Sequence, residues 1–216
     1  MRFLLLVVSV VMWSMTAFAA PFKLAVFGDS LAAGYRLSAT DAFYAKLEQA
    51  LHAKGYKNII VLNHSKSGET TSGGINRLSS LISDRPNAVL LELGINDAIR
   101  SMPVDGIERN LQRIIERLQQ SGIPVMLIGM QVPSVNAPSY ARAFNNMYTE
   151  LSRKNGLLLY PFFMKDVLKF NPAKMNFDKT YLLSDSFHPN AEGINIMVKN
   201  ILPTVIEFLN ENGVKP

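Results

Sequence analysis

Lys23-Leu24-Ala25-Val26-Phe27-Gly28-Asp29-Ser30-Leu31 is the stretch whose reading decides the fold. It begins as a short, β-branched and apolar strand and stops abruptly at a glycine, an acid and a serine. Four more runs of this kind follow, at 58–63, 88–93, 124–130 and 156–160. Their apolar residues are continuous rather than alternating, which fits strands covered on both faces. Between them the period becomes helical, at about 41–54, 72–83, 105–120 and 139–154. The third helix is the clearest, with Ile107, Leu111, Ile114, Ile115 and Leu118 on one stripe. Asp105 and Glu108 stand at capping-box spacing at its start, and Gly122 follows it. A last helix runs from Ala191 to about Leu209, and Pro203 is expected to kink or divide it.

Strand and helix alternating at this spacing imply right-handed crossovers and a parallel sheet. The fold class expected is α/β, a three-layer α/β/α arrangement around a five-stranded parallel sheet, flavodoxin-like. The long loops, 63–71, 94–104 and 131–138, follow strands rather than helices. Such a sheet builds its site at the C-terminal edge of the strands, and the chemical candidates below all fall there.

Residues 1–19 are set apart by composition. Arg2 precedes an almost unbroken apolar run from Phe3 to Trp13, and Ala17-Phe18-Ala19 has the Ala-x-Ala form of a signal-peptidase site. The run is short for a ~20-residue membrane span, and no basic stop-transfer cluster follows. A signal peptide cleaved after Ala19 is expected, with no stable membrane anchor and a periplasmic or secreted product. The chain has no cysteine, so neither a lipoprotein anchor nor a disulfide is available. Residues 20–216 are enough for one sizeable domain stabilised by its core, and a monomer is expected. The net charge of +5 is dispersed: Arg109, Arg113 and Arg117 alternate with Glu108 and Glu116 on one helix. A nucleic-acid surface would need a concentrated basic stripe, and none is seen.

Ser30 is weakly nucleophilic unless a base lies beside it, and it could instead cap a short helix. Of the three histidines, His52 sits in a helix beside Lys54 and is assigned to solvent, while His64 follows a strand and could satisfy a loop backbone. His188 has Asp185 three positions before it. In a tight loop that carboxylate can hold one ring nitrogen and leave the other to take a serine proton. Ser67-Gly68-Glu69-Thr70 and Gly94-Ile95-Asn96-Asp97 follow the second and third strands. A backbone N–H at Gly68 and the Asn96 amide are therefore candidate oxyanion donors, although Gly and Asn also form ordinary turns. No phosphate loop or zinc spacing is present. Serine and histidine would supply nucleophile and base, so no cofactor and no metal is expected.

Together these blocks resemble the SGNH hydrolases, also called GDSL esterases or lipases. Gly28-Asp29-Ser30-Leu31 looks like the first block, Gly68 the second, Gly94-x-Asn96-Asp97 the third and Asp185-x-x-His188-Pro189 the fifth. The resemblance spans residues 20–216. It implies Ser30 as nucleophile, His188 as general base and Asp185 as its orienting acid. The Ser30 and Gly68 N–H groups and the Asn96 side chain would form the oxyanion hole. Gly28 to Tyr35, Leu91 to Asp97 and Tyr160 to Met164 are most similar to the periplasmic acyl thioesterase/lysophospholipase/arylesterase branch. Ile95 stands where many relatives have glycine, Glu69-Thr70-Thr71 where they often have Asp-Thr-Ser, and Ser186-Phe187 where Gly-Ile is common.

The substrate implied is a small-molecule ester or thioester: medium to long acyl chains, lysophospholipids or arylesters. By resemblance the loop from Ala98 to Pro103 borders the acyl groove and moves over a bound chain. Ile95, Ile99, Met102, Pro133 and Phe187 are the candidate substrate-binding residues, with Met130 and Val132 on the opposite wall. A histidine base implies activity rising through about pH 6–7. Two other readings stay open at this point: a carbohydrate or cell-wall O-acetylesterase on the same fold, and a non-catalytic binding module.

Overall fold

The continuous apolar runs become strands covered on both faces. Leu24 to Phe27 and Ala88 to Leu91 are wholly shut off from solvent, and so are Met126 to Ile128. The computed structural model describes residues 20–133, 137–171 and 176–216; residues 1–19, expected to be a signal peptide, lie outside them. β1 (Phe22–Phe27), β2 (Ile59–Asn63), β3 (Ala88–Leu91), β4 (Val125–Ile128) and β5 (Leu159–Tyr160) form one parallel sheet in the order β2-β1-β3-β4-β5. Leu24 pairs with Val61 on one side and Ala88 on the other, and Leu91 with Leu127. The order reverses between β1 and β3. Their C-terminal loops part there and leave the crevice in which open α/β sheets bind ligands.

The helices are α1 (Ser30–Ala33), α2 (Phe43–Ala53), α3 (Thr71–Ser83), α4 (Ile95–Ile99), α5 (Val104–Gln120), α6 (Pro138–Asn155) and α7 (Ala191–Glu211). α2 packs against α7, while α5 packs against both α3 and α6, giving a helical layer on each face of the sheet. This is the expected three-layer α/β fold. A short antiparallel pair, β6 (Lys169–Asn171) and β7 (Asn176–Asp178), was not expected from the sequence. Among the described residues no helix is long and apolar enough to cross a membrane.

Local differences from the sequence reading have physical causes. Pro203 does not divide α7: the proline and Lys199, whose carbonyl it leaves without an N–H donor, are both exposed. The buried stripe from Ile194 through Ile201 to Leu209 runs past it unbroken. Asp105 is not the N-cap, because α5 begins at Val104 after Pro103; its carboxylate accepts from Arg109 Nη1 at 2.6 Å. β5 is shorter than 156–160 because Gly156 ends α6 in the left-handed region and the Leu157 N–H bonds back to Ser152. His52 is not free in solvent. Its Nε2 donates to the Ile59 carbonyl at 2.8 Å, and Glu48, one turn earlier on α2, accepts from the Val61 N–H at 2.6 Å. Two side chains thus satisfy the outer rim of edge strand β2, which would otherwise offer unpaired backbone groups.

Candidate active site

Ser30 lies where β1 turns directly into α1. The residue that caps this short helix is Asp29 rather than Ser30: its Oδ1 accepts from the Leu31 N–H at 2.9 Å. The serine hydroxyl is therefore not engaged in capping. Its Oγ lies 2.8 Å from His188 Nε2, across 158 residues of chain. His188 Nδ1 lies 2.9 Å from Asp185 Oδ2, while Asp185 Oδ1 accepts the backbone N–H groups of Phe187 and His188 at 3.0 Å each. A carboxylate beside Nδ1 favours the Nδ1–H tautomer, which leaves Nε2 to accept from serine.

The loop that carries this pair is tightly built. Ser186 takes a left-handed φ of 62°, which glycine adopts without steric cost and serine does not. The Ser186 N–H bonds Leu183, whose own N–H bonds the His188 carbonyl at 2.7 Å. Burial pushes the Asp185 carboxyl up, but the His188 and Phe187 N–H groups and the imidazole outweigh it and hold it at about 2. Tyr35 covers the imidazole, with ring centroids 4.4 Å apart, and Phe187 meets it edge-on at 5.0 Å. Tyr35 had no assigned role in the sequence reading. Its signal was its place in Gly28 to Tyr35, only five residues beyond the serine.

The donors follow. Asn96, on the first turn of α4, gives one Nδ2–H to Asp29 Oδ2 at 3.0 Å and keeps a second. Gly68 holds φ +76° in an exposed turn, with nothing within 4 Å of the place a Cβ would take. Among the described residues neither the Ser30 nor the Gly68 N–H has a protein acceptor. Asp97 is not part of the site. Buried at 3 % exposure, it accepts from the Thr71 N–H at 2.8 Å and its hydroxyl at 2.7 Å, fixing α4 to α3. His64 pairs with Asp84 at 3.2 Å and makes no contact with the serine group.

A buried carboxyl pair underlies the serine, and the sequence reading missed it. Glu92 Oε2 accepts from the Asp29 N–H at 3.2 Å, and its Oε1 has no partner among the described residues. Both side chains are fully buried. Only glycine fits above them, since a Cβ at Gly28 would come within 2.7 Å of Glu92 Oε2. Burial raises Asp29 to about 7 against its bonds from Leu31 and Asn96. Burial, then the Asp29 charge, pushes Glu92 well above the carboxylate range. With two donors Asp29 is the member that ionises, and Glu92 is the neutral acid. A lone acid in the apolar run Ala88 to Leu93 was the available signal.

Both groups hold a proton more tightly folded than unfolded. Their contribution to stability is full below the unfolded carboxylate range and is lost as pH rises through the folded values. Between those limits one retained proton costs about 1.4 kcal/mol per pH unit. Glu92→Gln keeps the acceptor for Asp29 and never ionises when unfolded. Its melting temperature should exceed the wild type's at pH 8, with the difference closing towards pH 4; thermal melts across pH 4–9 check this.

Beside α4 lies a groove of about 390 Å³ lined by Ala98, Ser101, Val132, Pro133, Ala137, Tyr140 and Ala141. Of the five residues assigned to substrate, Pro133 lines it. Ile99 and Met102 are exposed, at 58 % and 48 %, on or just after α4. Ile95 and Met130 belong to the buried core instead, because α4 begins at Ile95 and turns that side chain inward. Phe187 is half-buried beside His188 and is not in the lining. Tyr140 was missed; its hydroxyl donates to the Met102 carbonyl at 2.8 Å, joining the two walls.

Residues 26–195 match the GDSL-like lipase/acylhydrolase family. The chain is 32% identical over 194 residues to an arylesterase of Vibrio mimicus, covering 89% of this chain and 88% of that one. It is 32% identical over 192 residues to the thioesterase 1/protease 1/lysophospholipase L1 of Escherichia coli K12, covering 87% and 86%. The psychrotrophic esterase EstA from Pseudoalteromonas, in a form inhibited by monoethylphosphonate, superposes with a TM-score of 0.78 at 28% identity, over 88% of this chain and 99% of that one. The chain belongs to the GDSL-like lipase/acylhydrolase family and is a carboxylic ester hydrolase of the SGNH fold.

Proposed function

We propose that the protein hydrolyses carboxylic esters and thioesters of medium to long acyl chain through a covalent acyl-serine. The observation that carries this is the unbroken line from Asp185 Oδ2 through His188 to Ser30 Oγ, with hydrogen-bond distances of 2.9 and 2.8 Å. Ser30 Oγ attacks the acyl carbonyl as His188 Nε2 takes its proton, and the resulting imidazolium is balanced by Asp185. His188 returns that proton to the leaving alcohol or thiol. A water then attacks the acyl-enzyme by the same route and releases the acid. The oxyanion meets the N–H groups of Ser30 and Gly68 and the second Nδ2–H of Asn96. Charge at that oxygen exists only in the transition state, so these donors raise turnover rather than affinity.

The groove supports the acyl reading. Its size falls within the roughly 300–1,000 Å³ of small-molecule sites, and its lining is mostly apolar; Ser30, Asn96 and His188 are not in that lining, and α4 carries both its Ala98 and Asn96. Relatives whose names include arylesterase, thioesterase and lysophospholipase point the same way. Residues 1–19 support export, with the enzyme acting in the periplasm or outside the cell as a monomer.

Hydrolysis of p-nitrophenyl esters from acetate to palmitate tests the chain-length claim. Turnover should rise from acetate to the medium chains. A sharp preference for acetate would move the assignment to an O-acetylesterase.

A further inference from the structure

We propose that Arg100 is a positioning residue that holds the Gly68 carbonyl and so restricts the φ and ψ of that glycine, keeping its N–H ready for the oxyanion; this rests on the hydrolase reading above. Arg100 ends α4 and is exposed, yet its Nη2 donates to the Gly68 carbonyl at 3.1 Å. Asn96 and Arg100 are four residues apart on α4 and so share a face. One supplies an oxyanion donor by its own amide, and the other holds the glycine that supplies the next.

Gly68 needs holding. It has no side chain, it is exposed, and nothing packs within 4 Å beside its Cα. Its neighbours are well fixed: the Lys66 N–H bonds the Gly28 carbonyl at 3.0 Å, and the Glu69 carboxylate is buried in an ion pair with Arg77. The Arg77 guanidinium in turn lies over the Phe27 ring, 4.5 Å from its centroid. Between these anchors the peptide that follows Gly68 is set, among the described residues, by two hydrogen bonds. Its N–H, from Glu69, goes to the Lys66 carbonyl at 3.1 Å, and its oxygen receives Arg100. Rotation about ψ of Gly68 swings that carbonyl, and φ and ψ together set where the Gly68 N–H, which lies in the peptide from Ser67, points relative to it. Without Arg100 a residue as free as glycine samples other orientations, and a donor must be aimed before the reaction to be useful.

The test uses the full-length enzyme as Arg100→Met, which keeps length and loses every donor, and Arg100→Lys, which keeps a donor. Rates are measured on p-nitrophenyl acetate, too short to fill the groove, and on p-nitrophenyl decanoate. The result expected for Arg100→Met is a fall in kcat of about tenfold on both esters, with KM within about twofold of wild type. Arg100→Lys should recover most of the loss, and melting temperatures should be unchanged. An unaltered kcat overturns the proposal. So does a raised KM with kcat intact, which would make Arg100 a substrate-binding cation, or a loss confined to decanoate, which would assign it to the groove. A wild type inactive on both esters would instead defeat the hydrolase reading, and this proposal with it.

Discussion

Ser30→Ala should lower ester turnover by about 10⁴-fold or more and leave the fold intact. The size follows from what is removed. In the proposed mechanism the Oγ is the atom that bonds to the acyl carbon, and among the described residues no neighbouring hydroxyl is free to take its place: the Ser65 Oγ is held by the Val26 carbonyl, and the Thr71 Oγ1 by Asp97. Water attack in the remaining donor set is the residual route, and it recovers only part of the acceleration. The fold should hardly notice. Ser30 opens α1 while Asp29 does the capping, so alanine suits the helix at least as well. The hydrogen bond between the Ser30 hydroxyl and His188, which alanine cannot make, is worth about 1 kcal/mol, or 2–4 °C of melting temperature for a domain of this size. A fluorophosphonate probe should label wild type and not Ser30→Ala. Equal turnover of an ester by the two proteins would end the nucleophile assignment, and absence of labelling in wild type would favour a binding module.

How much of this was legible beforehand depended on the range of the interaction. The strands could be read because burial on both faces leaves nothing polar to interrupt Leu24 to Phe27 or Ala88 to Leu91. Ser30, Gly68 and Asn96 could be singled out as candidates because each stands in a short motif after a strand, and Asp185 and His188 because they form one short motif just before α7. α1 could not be seen by periodicity, since four residues make little more than one turn. Glu92 was hidden because its partner Asp29 is 63 residues away and the two meet only when β1 and β3 pair. The groove was hidden for a similar reason. Ala98, Ser101 and Ala137 carry no signal as single residues, and become a wall only when α4 and the start of α6 face one another across the loop after β4. Ile95 was misplaced because a motif fixes neighbours in sequence and not the side of a helix on which they fall.

Those buried carboxyls bear on the site's preorganisation. Asp29 binds three parts of it at once: it caps α1 below Ser30, orients Asn96, and rests through its own N–H on Glu92. The stability that would be gained by an apolar pair at 29 and 92 is given up for a fixed acceptor under Asn96, the amide proposed to meet the oxyanion. Glu92→Gln should accordingly stabilise at pH 8 with little loss of turnover, because the acceptor for the Asp29 N–H survives.

Asp185→Asn is the second severe case, with a fall in kcat of about 10³–10⁴, and its cause is separable from the mere removal of a hydrogen bond. The two carboxylate oxygens do different work. Oδ1 takes the Phe187 and His188 N–H groups and so must remain an oxygen in the variant; Oδ2 faces His188 Nδ1. An asparagine that keeps the backbone bonds therefore turns its NH₂ towards Nδ1. That nitrogen becomes an acceptor, the proton moves to Nε2, and Nε2 can no longer receive the proton of Ser30. Asp185→Ala leaves Nδ1 free to water and either tautomer accessible, so it should retain more activity than asparagine at neutral pH. Titration of the imidazole N–H resonances should show the proton on Nε2 in Asp185→Asn and on Nδ1 in wild type. The stability of the variant carries its own sign. The Asp185 carboxyl at about 2 contributes stability present above the unfolded value near 4 and lost as pH falls through about 2, and asparagine removes that dependence. Asparagine as active as aspartate, with the proton still on Nδ1, would show that residue 185 shapes the loop and does not orient the base.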